Sequence, residues 1–123
     1  MNTPAQHAAL AALTGPTDPV REMKDAFERR RDAFVDRLAE IPNVSAARPE
    51  GVFYAFVDVS ALPGTSMDVA ERLLFEYDVV AAPGSAFGDA GEGYLRFSFA
   101  ADAARIETGL IRFEEMVRSE TEA

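Results

Sequence analysis

Cysteine is absent from the 123 residues, and histidine and lysine each occur once, as His7 and Lys24. Without thiols the chain can form neither disulfides nor thiolate metal sites, a composition compatible with a reducing compartment. A single imidazole cannot build a histidine metal cluster, and His7, beside alanines, reads as a packing or surface group, so no metal site is expected. No apolar run approaches the ~20 residues that cross a bilayer, and the first residues lack the basic segment followed by a hydrophobic stretch that marks an export signal. The expectation is a cytoplasmic protein with no membrane partner.

Positive charge is scarce as well. Twenty-one acidic side chains against twelve basic ones leave a formal charge of −9. Phosphate backbones require the opposite, a basic footprint, so no nucleic-acid partner is expected. The acids are spread along the chain rather than massed, and one lysine stands against eleven arginines amid abundant alanine. That balance has a halophile-like character, because a strongly charged surface maintains solubility in salt. A GC-rich genome favours the same residues, and both origins remain open. At 48% hydrophobic content, the length suits one domain with a modest core and is too short for two.

What the chain does contain is a clear order of elements. Thr3 reads as an N-cap and Pro4 as the first helical residue of a segment that Gly15-Pro16 stops. Residues 1–16 thus look like a helical arm with little of its own to pack on. From Asp18-Pro19, Val20, Met23, Phe27, Phe34, Leu38 and Ile41 recur at three-and-four spacing, which predicts a long amphipathic helix ending near Pro42-Asn43. The run Arg29-Arg30-Arg31 invites a phosphate-binding reading, but the neighbouring Glu28 and Asp32 favour pairs on the helix surface. Strand-type residues run from Val52 to Val59, Leu62-Pro63-Gly64 turns, and Thr65 with Asp68 three residues later starts a helix that buries Val69, Leu73, Leu74 and Tyr77. Val79-Val80-Ala81 is a short strand, Tyr94 to Phe99 another, and Asp102 caps a closing helix striped by Ile106, Leu110, Phe113 and Val117. The order predicts an α+β fold: a small mixed β-sheet covered on one side by helices, occupying residues 17–118, with a polar, frayed tail over 119–123.

One residue stands out for chemistry. In a strand over Tyr94-Leu95-Arg96-Phe97-Ser98-Phe99-Ala100, Leu95, Phe97 and Phe99 share one face and Tyr94, Arg96 and Ser98 the other. A planar guanidinium held on a strand, with no acid adjacent in sequence, suits the two-bond grip of a small carboxylate. The competing reading is a structural ion pair at a sheet edge. Before that strand runs Pro83-Gly84-Ser85-Ala86-Phe87-Gly88, with further glycines at 91 and 93. A nucleotide-phosphate cradle places its glycines before a helix N-terminus, whereas a strand follows here. Asp89 and Glu92 lack the ligand spacing of an EF-hand calcium loop. A loop of this kind instead suits an active-site flap, formed by Gly84, Ser85, Phe87 and Gly88, in which Phe87 closes over a bound substrate.

Taken together, Val80-Ala81-Ala82-Pro83-Gly84-Ser85-Ala86-Phe87-Gly88 and Gly91-Glu92-Gly93-Tyr94-Leu95-Arg96-Phe97-Ser98-Phe99-Ala100 resemble the C-terminal small domain of pyridoxal-phosphate-dependent aminotransferases of fold type I, the aspartate aminotransferase class. Pro49-Glu50-Gly51-Val52-Phe53-Tyr54-Ala55-Phe56-Val57-Asp58 is similar to the opening strand of that domain, and Thr3 to Leu13 to the helix that leaves the large domain; the resemblance covers about residues 2 to 117. It implies that Arg96 binds the α-carboxylate of an amino-acid or 2-oxo-acid substrate, and that Asn2 and Thr3 approach the cofactor phosphate. It also implies that the Schiff-base lysine lies in a large domain upstream of Met1, since nothing around Lys24 resembles its motif. On this reading the chain alone binds no pyridoxal 5′-phosphate and is inactive until joined by a large domain or a second copy. The alternatives are a stand-alone module that binds amino or oxo acids, and a non-catalytic interaction protein.

Overall fold

Two five-residue strands decide the architecture, because each alternates sharply between its faces. In a computed structural model that describes residues 2–122, β2 (Tyr54–Asp58) and β4 (Tyr94–Ser98) pair antiparallel, with Ala55 opposite Phe97, Phe56 opposite Arg96 and Val57 opposite Leu95. Ala55, Val57, Leu95 and Phe97 are buried, while Tyr54, Phe56, Tyr94, Arg96 and Ser98 look to the other side. Two-residue strands flank the pair, β1 (Ser45–Ala46) beside β2 and β3 (Ala82–Pro83) beside β4, giving the order β1-β2-β4-β3. The fold is α+β as expected, but every ladder in the sheet is antiparallel rather than mixed. Strand β1 had no signal in the sequence, since two residues carry no readable alternation. Strand β3 begins three residues later than the expected 79–81, because the Val79 amide closes the preceding helix on the Leu73 carbonyl at 3.1 Å.

The apolar face is covered by helices α2 (Asp18–Leu38), α3 (Ser66–Tyr77) and α4 (Ala103–Thr121). Phe34 and Leu38 from α2, Val69, Ala70 and Leu73 from α3, and Leu110, Phe113, Met116 and Val117 from α4 join the sheet residues in one core. Burying a side chain such as Phe113 contributes about 2–3 kcal/mol by the area removed from water. Ring contacts tie the layers together: Phe97 lies 5.1 Å from Phe113 and 5.9 Å from Phe34 between centroids.

Local hydrogen bonds explain where the helices start. Thr65 accepts from the Asp68 amide while the Asp68 carboxylate accepts from the Thr65 amide at 2.8 Å, the reciprocal capping box read in the sequence. Asp102 accepts from the Arg105 amide at 2.9 Å, again as read. Leu74 departs from expectation: it is exposed, because the buried stripe of α3 runs through Val69, Ala70 and Leu73 and leaves the next position outside. Helix α4 continues to Thr121, whose hydroxyl donates to the Val117 carbonyl at 2.9 Å, so the segment expected to fray from 119 is helical up to that point.

The N-terminal part behaves differently. Helix α1 (Thr3–Thr14) contains no buried residue, and its N-cap is Asn2 rather than Thr3, Pro4 falling one position deeper in the first turn. Leu10, Leu13, Val20 and Met23 are exposed, so the apolar stripe of α2 meets the core only from Phe27 onward. Helix α2 stops at Leu38, short of the expected Pro42; Ile41 is then buried by the turn, where its position before a proline disfavours further helix. No helix is long and apolar enough to cross a membrane among the described residues.

Candidate functional site

The sheet face opposite α2, α3 and α4 presents a cation among aromatic rings. Arg96 projects from the middle of β4, and the register places Tyr54 of β2 diagonally beside it on the same face. The guanidinium carbon lies over the Tyr54 ring and over the Phe87 ring, 4.2 Å from each centroid. Phe56, directly opposite Arg96, meets Phe87 edge-on at 5.6 Å and 77°, and stands 6.5 Å from Tyr94. Among the described residues no acid forms an ion pair with Arg96 and no hydrogen bond occupies its nitrogens. The edge ion pair weighed for Arg96 from sequence is therefore not formed, and its fork of N–H donors is available.

Phe87 reaches this position through a tightly folded loop. Gly84–Phe87 and Asp89–Gly91 are single turns of 3-10 helix joined by Gly88, whose φ of 114 is open to glycine and strained for other residues. The backbones of Gly84 and Gly91 touch: a Cβ on Gly84 would fall 2.0 Å from the Gly91 carbonyl oxygen. Ser66 ties the loop to the start of α3. Its amide donates to Glu92 Oε1 at 2.6 Å, and its hydroxyl oxygen lies 3.0 Å from both Glu92 Oε2 and Ser85 Oγ. The Ser66 amide, and then its hydroxyl, hold the Glu92 carboxyl below its ordinary range; partial desolvation and the charge of Asp68 oppose them. Helix α3 thus begins with two carboxylates, Asp68 and Glu92, against its free amides.

The other residues singled out from sequence divide between the loop beside this face and positions remote from it. Of the proposed flap, Gly84 forms the base, Ser85 the tie to Ser66, Phe87 the ring over Arg96 and Gly88 the tip. Asn2 and Thr3 stand exposed at the start of α1, with no side-chain cap bond at Asn2. Lys24 is exposed on α2, 4.0 Å from Glu28. A Schiff-base lysine needs a desolvated pocket with partners for the cofactor's ring and phosphate, and the surroundings of Lys24 supply none. The residues present therefore do not fit a covalent site for pyridoxal 5′-phosphate. The described residues also bring together no cluster of three or more metal-ligating side chains. Clefts of about 400 Å3 lie between α2 and α4 and beside Val80; neither is lined by Arg96.

Sequence reading gave Tyr54 and Ser66 no role at this site, and weighed Glu92 only as a calcium ligand. Tyr54 carried a usable signal, since it occupies the same alternation in β2 that Arg96 occupies in β4. Ser66 and Glu92 are 26 positions apart, and no local pattern connects them.

The sequence model of the family described as aminotransferase class I and II matches residues 1–113. A protein of Aquifex aeolicus named "Probable aspartate/prephenate aminotransferase" is 42% identical over 120 residues, covering 94% of this chain and 30% of its own. Aromatic-amino-acid aminotransferase 2 of Thermococcus litoralis is 36% identical over 115 residues, with 92% of this chain and 29% of its own covered. Among solved structures, alanine aminotransferase from Pyrococcus furiosus superposes with a TM-score of 0.92 at 36% identity, covering 96% of this chain and 30% of that one. The chain thus spans about 30% of the length of the proteins it matches.

Proposed function

We propose a function that proceeds from kinship, since this chain belongs to the class I and II aminotransferase family. Within that family it is the portion of an amino-acid transaminase that binds the substrate's carboxylate, and Arg96 is the group that grips it. The observation that carries this reading is the guanidinium without an acidic partner among the described residues, set on the sheet face opposite the one that α2, α3 and α4 cover. Two parallel N–H···O bonds from such a fork fix a carboxylate in the guanidinium plane and so fix the direction in which the rest of the substrate leaves it. Phe87, at the tip-side turn of its loop, shields that pair from water, which strengthens it. The cofactor's electron-sink chemistry and its lysine belong to the part of the enzyme that this chain does not cover, so the chain alone is inactive.

The three proteins compared above carry names with different amino acids, while the shared segment is common to all of them. That pattern supports assigning to this segment what all amino and oxo acids share, the α-carboxylate, and assigning side-chain choice elsewhere. The proposed partners are accordingly an amino acid or 2-oxo acid, and a large domain or second copy that covers the open sheet face. The cytoplasm is the proposed setting.

The test is a hybrid enzyme in which this chain replaces its counterpart in the Pyrococcus furiosus alanine aminotransferase. Turnover is expected, and Arg96→Ala should lower kcat/KM by about 30-fold or more, the equivalent of about 2 kcal/mol for a charge-assisted pair left unmade. Unchanged kinetics in Arg96→Ala would remove the assignment. The interaction-protein reading draws on the exposed Leu10, Leu13, Val20 and Met23; self-association of the chain together with an Arg96-indifferent hybrid would favour it.

A further inference from the structure

An arginine intended for a carboxylate has to be held still without being used up. Its free side chain carries about 2 kcal/mol of rotamer entropy, and an unrestrained guanidinium loses that on binding. The usual restraint is a neighbouring acid, which also occupies the donors and competes with the incoming anion. Around Arg96 the restraint is of another kind: two rings, each 4.2 Å from the guanidinium carbon, and no ion pair among the described residues. Ring faces attract the cation through their quadrupole and accept contact from the flat surface of the guanidinium, leaving the in-plane N–H groups unoccupied.

We propose that Tyr54 and Phe87 are positioning residues that hold the Arg96 guanidinium between their rings, so that only its donor edge faces an incoming carboxylate; the proposal rests on the reading of Arg96 as the carboxylate grip. The two walls are built differently. Tyr54 is fixed by sheet register, on the same face as Arg96 and on the paired strand. Phe87 is carried by the loop that Ser66, Ser85 and Glu92 tie to α3 and that the Gly84–Gly91 contact closes at its base. Phe56 backs Phe87 edge-on, which sets the tilt of that ring. The ring is the working part of each wall: the Tyr54 hydroxyl has no partner among the described hydrogen bonds, so phenylalanine should serve at that position.

The experiment reads the guanidinium directly, by nuclear magnetic resonance of the Arg96 side-chain Nε–Hε group in the 123-residue chain, identified by its disappearance in Arg96→Lys. In the unaltered chain the group should be rigid and shifted upfield by the rings; Phe87→Leu and Tyr54→Leu should each mobilise it and remove the shift, and Tyr54→Phe should preserve both. Phe87 is 48% exposed, so its leucine variant retains the fold, checked by the backbone amide spectrum. Glutarate, followed by the same signal, should bind about fivefold more weakly to Phe87→Leu and with unaltered affinity to Tyr54→Phe. A guanidinium equally mobile before and after loss of either ring would overturn the proposal, and so would glutarate binding through Arg96 that is indifferent to Phe87→Leu. If glutarate leaves the Arg96 signal unmoved while Phe87→Leu still frees the guanidinium, the stacking role stands and the carboxylate reading is the part that fails.

Discussion

The two faces of one sheet, only a residue apart along the same strands, have opposite characters. Toward the helices, Ala55, Val57, Leu95 and Phe97 meet close-packed partners and are almost wholly removed from water. Toward the open side, Tyr54, Phe56, Tyr94 and Arg96 touch mainly one another and Phe87. The covered face obtains its order from burial, which tolerates little change. The open face obtains its order from ring geometry and a single loop, and the Arg96 guanidinium has no ion-pair partner among the described residues. The proposed carboxylate grip requires a face under-satisfied in this way, because groups already paired have nothing to offer a ligand.

The largest expected effect contrasts the two faces directly. Phe113→Ala empties a fully buried site between sheet and helix and should cost about 3–5 kcal/mol in urea unfolding, whereas Phe56→Ala on the open face should cost under about 1 kcal/mol. Comparable losses would show that the open face is as much a part of the core as the covered one.

A smaller effect separates the loop from the face it serves. Gly84→Ala places a Cβ against the Gly91 and Tyr94 carbonyl oxygens, neither of which can move without displacing backbone. It should destabilise the chain by about 1–3 kcal/mol, and amide exchange should quicken from 84 to 92 before it does in β2. A neutral Gly84→Ala would mean that the loop is slack at its base.

The smallest effect concerns acid. Glu92 titrates lower in the folded chain than in the unfolded one, so its contribution is complete above the ordinary carboxylate range, at about pH 4.3, and is lost as the pH falls through the folded value. Asp32, Asp58, Asp68 and Glu114 share that direction through their own donors, so stability as a whole should decline on acidification. Glu92→Gln should flatten part of that decline and leave the rest, as read from unfolding midpoints between pH 3 and 7. An unchanged acid limb would detach Glu92 from the folded state's hydrogen bonds.

Much of the fold was legible because its signals are local. The Thr65–Asp68 box and the Asp102 cap involve residues three apart, and the alternation of β4 needs only the strand itself. What escaped reading depended on distant partners. The stripe of α2 predicted burial for Val20 and Met23, yet nothing in the described chain lies opposite them. The sheet was expected to be mixed, and its edge strands β1 and β3 are too short to declare their direction. At the site, Arg96 and Phe87 were both singled out, but their contact and the presence of Tyr54 were not.

From its residues alone, this chain already had two-sided strands, helix starts and a lone arginine on the less apolar side of a β-ribbon, since each of these follows from spacing along a few consecutive positions, while its family was legible as a resemblance of whole motifs. Only the folded molecule decided that Arg96 lies over two aromatic rings rather than in an ion pair, and that one of those rings comes from a loop tied to the start of α3. Those contacts join residues 9 to 42 positions apart, and their geometry exists only once sheet register and loop closure have brought the backbone together.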